Sequence, residues 1–492
     1  MWQMTYTVTS LLKKGLQLMI FRTAARIDAP GPDQADSRKG SRRKRLIFRV
    51  ILPVVSVAAV TAAVLATTLA THAALPQSPA VGGNDAVSSP VSTSSCKSSY
   101  HLTCYTPAQY RDAYDMNALY SGKATGKPLT GAGETIVIVE RYGSPTIVND
   151  LRVFDAQLKL PKAALTIEKL GDIPAFDANS ASMIGTAEET SVDVEYAHAF
   201  APGAKIVLVE TDSGTGLAAL GPFMKGVDAA VKQGVGDVLV LGLAGFGENS
   251  FPGFSSGNYS SLLNLRYAIK DAYARNMTML AASGDTGPTN YTTFEPPYSV
   301  YKKRVVAWPA SDPLVTAVGG TAINLADNGS RLGPDTVWND VYGASGGGDS
   351  TVFSRPAYQN SVAGIVGDHR GTPDISLSAV PGGWGYYSFP GGGGSGWHIF
   401  AGTSEATPIM AAMVALADQA AGHKLGLINP ALYKLGEMQQ AGAKGTGIES
   451  ITSGTNTFDG VTGYHAAAGY NLATGWGTIN AAQFVPALAR LG

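Results

Sequence analysis

Residues 188–210 read EETSVDVEYAHAFAPGAKIVLVE, and the hydrophobic pattern changes character once along them. On a helix, Glu189 and Asp193 are four residues apart and share a face with Ala197, while Val192, Tyr196 and Ala199 supply apolar neighbours. After the Pro202-Gly203 break, Ala204 to Val209 is a continuous apolar, β-branched run, the signature of a strand covered on both faces. Thr135–Val139, Asp237–Leu241 and Met277–Ala282 repeat that signature between longer helical patterns, with Pro-Gly, Gly-Gly and Asn-Gly pairs at the joins. The fold expected is α/β, with a mostly parallel central sheet flanked by helices in one large domain.

Composition narrows the field. The chain has 492 residues, 45% apolar and 15% charged, with 59 Gly, 27 Pro and two Cys. That excludes a coiled coil, a disordered tail and a disulfide-dense scaffold. The net charge of -1 hides an asymmetry: residues 1–49 carry 11 Lys/Arg against three Asp, a net of +8, which leaves -9 on the remainder. An acidic body excludes a nucleic-acid surface there.

The basic run Arg38, Lys39, Arg42, Arg43, Lys44 and Arg45 precedes an apolar stretch beginning at Leu46. Basic then apolar reads as an export signal or a membrane anchor, since the stretch is long enough for a bilayer of about 30 Å. The small residues at Thr71–Ala74 permit cleavage, and either outcome sends the body outside. The chain therefore divides into a basic cytoplasmic N-region (1–45), a signal peptide or anchor (46–74), a Ser/Pro/Gly-rich linker (75–95) and the large domain (96–492). Any membrane contact would run through 46–74 alone. Cys96 and Cys104 fit no common metal spacing and, in an exported chain, pair with each other; so small a loop contributes about 2 to 3 kcal/mol.

Three segments carry chemistry. In AGTSEATP (Ala401–Pro408) a Gly-Thr-Ser turn enters a long apolar helix, where positive backbone charge favours a developing anion; an N-cap by Thr403 or Ser404 is the alternative. Glu189 and Asp193, if partly buried, cannot both ionise cheaply and would share a proton; a solvated helix face is the alternative. Asp285, in the turn after the Met277–Ala282 strand, stands where parallel sheets place their sites, although turns favour Asp in any case.

Taken together, these segments resemble the sedolisins, the serine-carboxyl peptidases, from about Tyr105 to Phe484. The resemblance is carried by TPAQYRDAY (Thr106–Tyr114), GETIVIVERYGSPTI (Gly133–Ile147), ETSVDVEYAHAFAPGAKI (Glu189–Ile206) and AASGDTG (Ala281–Gly287). It continues through WPASDPLVTAVGGT (Trp308–Thr321), SGGGDS (Ser345–Ser350), AGTSEATP and GYNLATGWG (Gly469–Gly477). It implies a subtilisin-like fold with Ser404 as nucleophile, Glu189 as general base, Asp193 as its partner and Asp285 as the oxyanion-hole acid. Glu140 matches a carboxylate that extends the Glu/Asp network in some relatives. The subtilisin alternative needs a histidine followed by Gly-Thr, and none of the seven His is so followed; His198, one turn past Asp193, reads as a packed or surface residue. The implied activity is acid endoproteolysis below about pH 6 by a secreted or surface-anchored monomer acting on proteins or peptides. An inactive peptide-binding relative and a tripeptidyl exopeptidase are the alternatives.

The chain departs from the family in three places. It resembles an actinobacterial-type member without the usual large prosegment, so no maturation of a folded prodomain is expected. The family's calcium positions read Ser450, Ile451 and Asn471, which lacks two carboxylates, so Ca2+ binding is expected to be weak unless Glu449 compensates. VLVLGLAGFGEN (Val238–Asn249) stands where relatives show a Ser-aromatic-Gly signature lining the cleft, and Gly242 to Gly247 lacks that serine. The glycines at 391–394 read as a mobile surface loop rather than a ligand loop.

Overall fold

The computed structural model describes residues 86–492, apart from 213, 215, 244 and 293–298. The basic run, the apolar segment 46–74 and the linker as far as residue 85 lie outside the described residues. Among the described residues, no helix is long and apolar enough to cross a membrane.

The β-branched runs form the sheet. Its strands are β1 (Thr135–Arg141), β2 (Ala164–Leu170), β3 (Lys205–Thr211), β4 (Val238–Gly242), β5 (Thr278–Ala282), β6 (Thr316–Ala322), β7 (Thr336–Val337) and β8 (Ile375–Val380). The order is β8-β6-β5-β4-β1-β3-β2, every pairing along it is parallel, and β7 adds antiparallel to β6. This is the mostly parallel, helix-flanked sheet expected from the sequence. A hairpin of β9 (Gly383–Tyr387) and β10 (Gly396–Phe400) stands beside it.

Alternation along the buried strands divides the core into two layers. Ile136, Ile138, Ile206, Leu208, Val238 and Val240 face one side, where they pack with α2 (Ala181–Phe200) and α5 (Thr403–Ala421). Val137, Val139, Val207, Val209, Leu239 and Leu241 face the other, against α3 (Leu220–Gln233) and α4 (Tyr267–Ala274). Each such side chain contributes about 1.5–3 kcal/mol of burial, which explains why strands between two helical layers read as unbroken apolar runs. The helix α1 (Ile147–Leu158) packs on α2 and on the hairpin.

Residues 86–95, read as the end of a linker, dock on the domain. Val87 exchanges both backbone hydrogen bonds with Trp397 of β10, and the Thr93 hydroxyl donates to the Cys104 carbonyl. The Cys96–Cys104 disulfide closes immediately after. Composition hides this docking because backbone pairing needs no apolar side chains.

Candidate active site

The C-terminal ends of β1, β4 and β5 point toward the N-terminus of α5, and α2 lies across them. Gly402 adopts φ +102°, a conformation that favours glycine, and α5 starts at the next residue. Gly402 is the N-cap and uses no side chain, so neither Thr403 nor Ser404 caps the helix. Ser404 is the second helical residue, where the backbone N–H has no intrahelical acceptor and the helix dipole is positive.

The Ser404 hydroxyl lies beside the Glu189 carboxylate of α2. Burial pushes Glu189 up to about 7; the Ser404 hydroxyl opposes the rise, nearby Asp285 adds to it, and Arg141 opposes it. One turn further along α2, burial and the charge of Glu189 lift Asp193 well above the usual carboxylate range. Glu140, at the end of β1, is also raised well above its ordinary value, first by burial and then by Asp193 and Glu189. None of the four carboxyl oxygens of Glu140 and Asp193 has a hydrogen-bond partner, although both carboxyls lie within reach of the same point beside Gly242. Two buried carboxyls this close cannot both carry charge cheaply, so the pair favours holding a proton.

Asp285 stands in the turn after β5. Its Oδ1 receives the Thr403 backbone N–H at 2.9 Å and the Thr403 hydroxyl at 2.7 Å, which ties the turn to the residue before Ser404. Its own carbonyl accepts from the Ala344 N–H at 3.0 Å. The structure thus brings Ser404, Glu189, Asp193, Asp285 and Glu140 into one site. His198 is elsewhere engaged: it is buried, with Nε2 2.8 Å from the Pro161 carbonyl and 3.2 Å from Asp155.

Three contributors lie inside the quoted stretches but have no role that the sequence assigns. Thr403 orients Asp285. Gly242, opposite Glu140 in the β1–β4 register, leaves room for its carboxyl: a Cβ there would lie 2.1 Å from Glu140 Oε1 and 2.9 Å from Asp193 Oδ2. Arg141 follows Glu140 and is likewise buried. The only available signal was the pairing of an acidic strand end with a glycine strand end, visible once the strands are registered. Next to Glu189, burial pushes Glu188 up to about 7, and the Tyr387 hydroxyl donates to it at 3.3 Å. The glycines at 391–394 turn the β9–β10 hairpin, and Gly391 and Gly392 lie close against Ile184 and Glu188 of α2.

The residues at the calcium positions do not fit the ion. Asn471 Oδ1 accepts the backbone N–H groups of Ala473 (3.1 Å) and Thr474 (3.0 Å) and the Thr474 hydroxyl (3.0 Å). Those donors fix the amide orientation, so Nδ2 points at the Ala467 carbonyl, 3.2 Å away. An N–H donor already occupies a carbonyl that a cation would need. Ser450 Oγ accepts from the Gly469 N–H at 3.3 Å, Ile451 is buried with Val337 and Ala473, and Glu449 is exposed on a short strand.

Known proteins agree with this architecture. Residues 178–464 match the model of the subtilase family. The chain is 29% identical to kumamolisin of Bacillus sp. (strain MN-32) over 390 residues, covering 76% of this chain and 62% of that protein. It is 34% identical to sedolisin of Pseudomonas sp. (strain 101) over 219 residues, 43% of this chain and 35% of that one. Over 237 residues it is 32% identical to tripeptidyl-peptidase 1 of Rattus norvegicus, 42% and 37% of the two chains. The chain thus spans between about a third and six-tenths of these curated relatives. Among solved structures, Pseudomonas sedolisin, a serine-carboxyl proteinase complexed with two molecules of pseudo-iodotyrostatin, superposes with a TM-score of 0.63 at 25% identity, covering 78% of this chain and 97% of that one. With a subtilase sheet and a carboxylate, not an imidazole, beside its serine, the chain belongs to the subtilase family and, within it, to the sedolisins.

Proposed function

We propose that this protein is an exported serine-carboxyl endopeptidase that hydrolyses peptide bonds in acid. The observation that carries this reading is the placement of Ser404, at the start of α5, beside the buried carboxyl of Glu189, with Asp285 tied to the adjoining Thr403. Ser404 attacks the peptide carbonyl while Glu189 takes its proton and later returns it to the leaving amine. Asp193 shares a proton with Glu189 and is backed by Glu140. The oxyanion forms at the start of α5, where the Ser404 amide and the protonated form of Asp285 donate to it. Because Asp285 Oδ1 already accepts both Thr403 donors, the acid proton belongs on Oδ2.

Acid activity follows from the proton count. The value of about 7 for Glu189 belongs to a set of three carboxyls whose protons leave in separate steps. General-base duty requires only the first departure, which leaves one negative charge resting on Glu189. With Glu189 raised to about 7, its base form accumulates as pH rises toward that value, while the oxyanion role requires Asp285 to keep its proton, so turnover peaks where the two requirements overlap, below about pH 7. The Cys96–Cys104 disulfide and the N-terminal basic-then-apolar pattern support an extracellular location, free or anchored. A monomer acting on protein or peptide substrates completes the reading.

The test is incubation of the exported domain with denatured protein at about pH 3–5 beside a Ser404→Ala control. Cleavage by the natural chain and a loss of about 10^4-fold in the variant is the expected outcome. Equal silence would favour a peptide-binding relative that does not cut, and release of three-residue pieces from substrate N-termini would assign a tripeptidyl exopeptidase.

A further inference from the structure

Arg141 is a buried cation with only neutral hydrogen-bond partners. It is 4% exposed. Its Nη2 donates to Thr186 Oγ1 (3.2 Å) and Ser182 Oγ (3.4 Å), and its Nη1 to the Gly214 carbonyl (3.5 Å). None of the ion pairs among the described residues includes it. Burying a guanidinium costs several kcal/mol unless negative charge offsets it. The charge available to offset it is that of Glu189, which lies one turn beyond Thr186 and two beyond Ser182 on α2; its chain neighbour Glu140 is held well above the usual carboxylate range by burial.

We propose that Arg141 is a positioning residue for the general base: pinned by Thr186 and Ser182, its charge draws the single negative charge of the Glu140–Asp193–Glu189 set to the Ser404 end and fixes the acid limit of activity. The groups facing Glu189 support this. Glu188 and Asp193 come from α2, Glu140 from β1, Asp285 from the turn after β5 and Ser404 from α5; Arg141 is the one cation acting on Glu189. Burial pulls the guanidinium below its ordinary range, while Tyr142, Glu140 and Glu189 hold it up. An arginine keeps its proton throughout the working range regardless. Without Arg141 the charge would spread toward Asp193, and Glu189 would be protonated when Ser404 needs it.

The inference rests on the peptidase reading, so its test has two readouts. In the first, kcat/KM for a peptide substrate is followed against pH for the natural chain, Arg141→Met and Arg141→Lys. The Met variant should move the acid limb up by about one pH unit with little change in KM, and Lys should restore part of the shift. In the second, 13C-glutamate NMR titration, with the Glu189 signal assigned through Glu189→Gln, should show the same upward move without any turnover. If the Met variant does not fold, Ser182→Ala with Thr186→Val frees the guanidinium at constant charge and should give a smaller shift of the same sign. Coincident acid limbs and coincident Glu189 titrations would overturn the role of Arg141. A natural chain that cleaves nothing, combined with a shifted Glu189 signal, would uphold it and sink the peptidase reading instead.

Discussion

At position 242 a methyl group would collide with the Glu140 carboxyl. Gly242→Ala should therefore cost about 1–3 kcal/mol in chemical denaturation at acid pH. Combined with Glu140→Ala the cost should largely vanish, a coupling that a double-mutant cycle reads directly. Additive losses would mean that the two positions do not share the space. The same pair marks the limit of what the sequence discloses. Ser404, Glu189, Asp193 and Asp285 stand inside motifs long enough to be recognised, each at an element end that its local pattern predicts. Gly242, Thr403 and Arg141 act through neighbours 41 to 118 positions away, and only the folded arrangement of strands and helices brings those neighbours together.

Secondary-structure elements were legible where burial is two-sided. The runs that became β1, β3, β4 and β5 are apolar through their centres because both faces meet helices. The edge strand β2 alternates between exposed and half-buried residues and offers no such run. The loop that ends in Asn471 shows a second kind of illegibility. Sequence reveals that two carboxylates are missing, but not that the asparagine amide closes the loop with four hydrogen bonds of its own. Thermal unfolding with excess chelator and with excess Ca2+ should therefore give the same midpoint within about 1 °C, because a ligand with no site adds no linkage stabilisation. A midpoint that rises with Ca2+ would show that the loop opens to accept the ion.

Among the described residues, several buried carboxyls are pushed above the usual carboxylate range. Burial raises Glu188 and Glu189 to about 7, Asp418 to about 8 and Asp335 to about 6, and lifts Glu195 and Glu405 well above the usual range. A carboxyl whose folded value exceeds its unfolded one adds stability that is complete below the unfolded value of about 4 and disappears as pH rises through the folded value. His398 acts oppositely: burial lowers it to about 4, so its contribution is lost as pH falls. The carboxyls outnumber it, and the melting temperature should peak in mild acid and fall as pH rises from about 5 to 8. A midpoint that rises across that interval would count against the protonated core. The same chemistry governs turnover, and the most direct check is kcat/KM from about pH 3 to 9 for the natural chain and for Asp285→Asn. The expected result is a maximum on the acid side, a decline as Asp285 loses its proton, and a variant slower by about 10^2–10^3-fold. A rate that peaks in alkali, or an Asn variant as fast as the natural chain, would contradict a serine served by carboxyls alone.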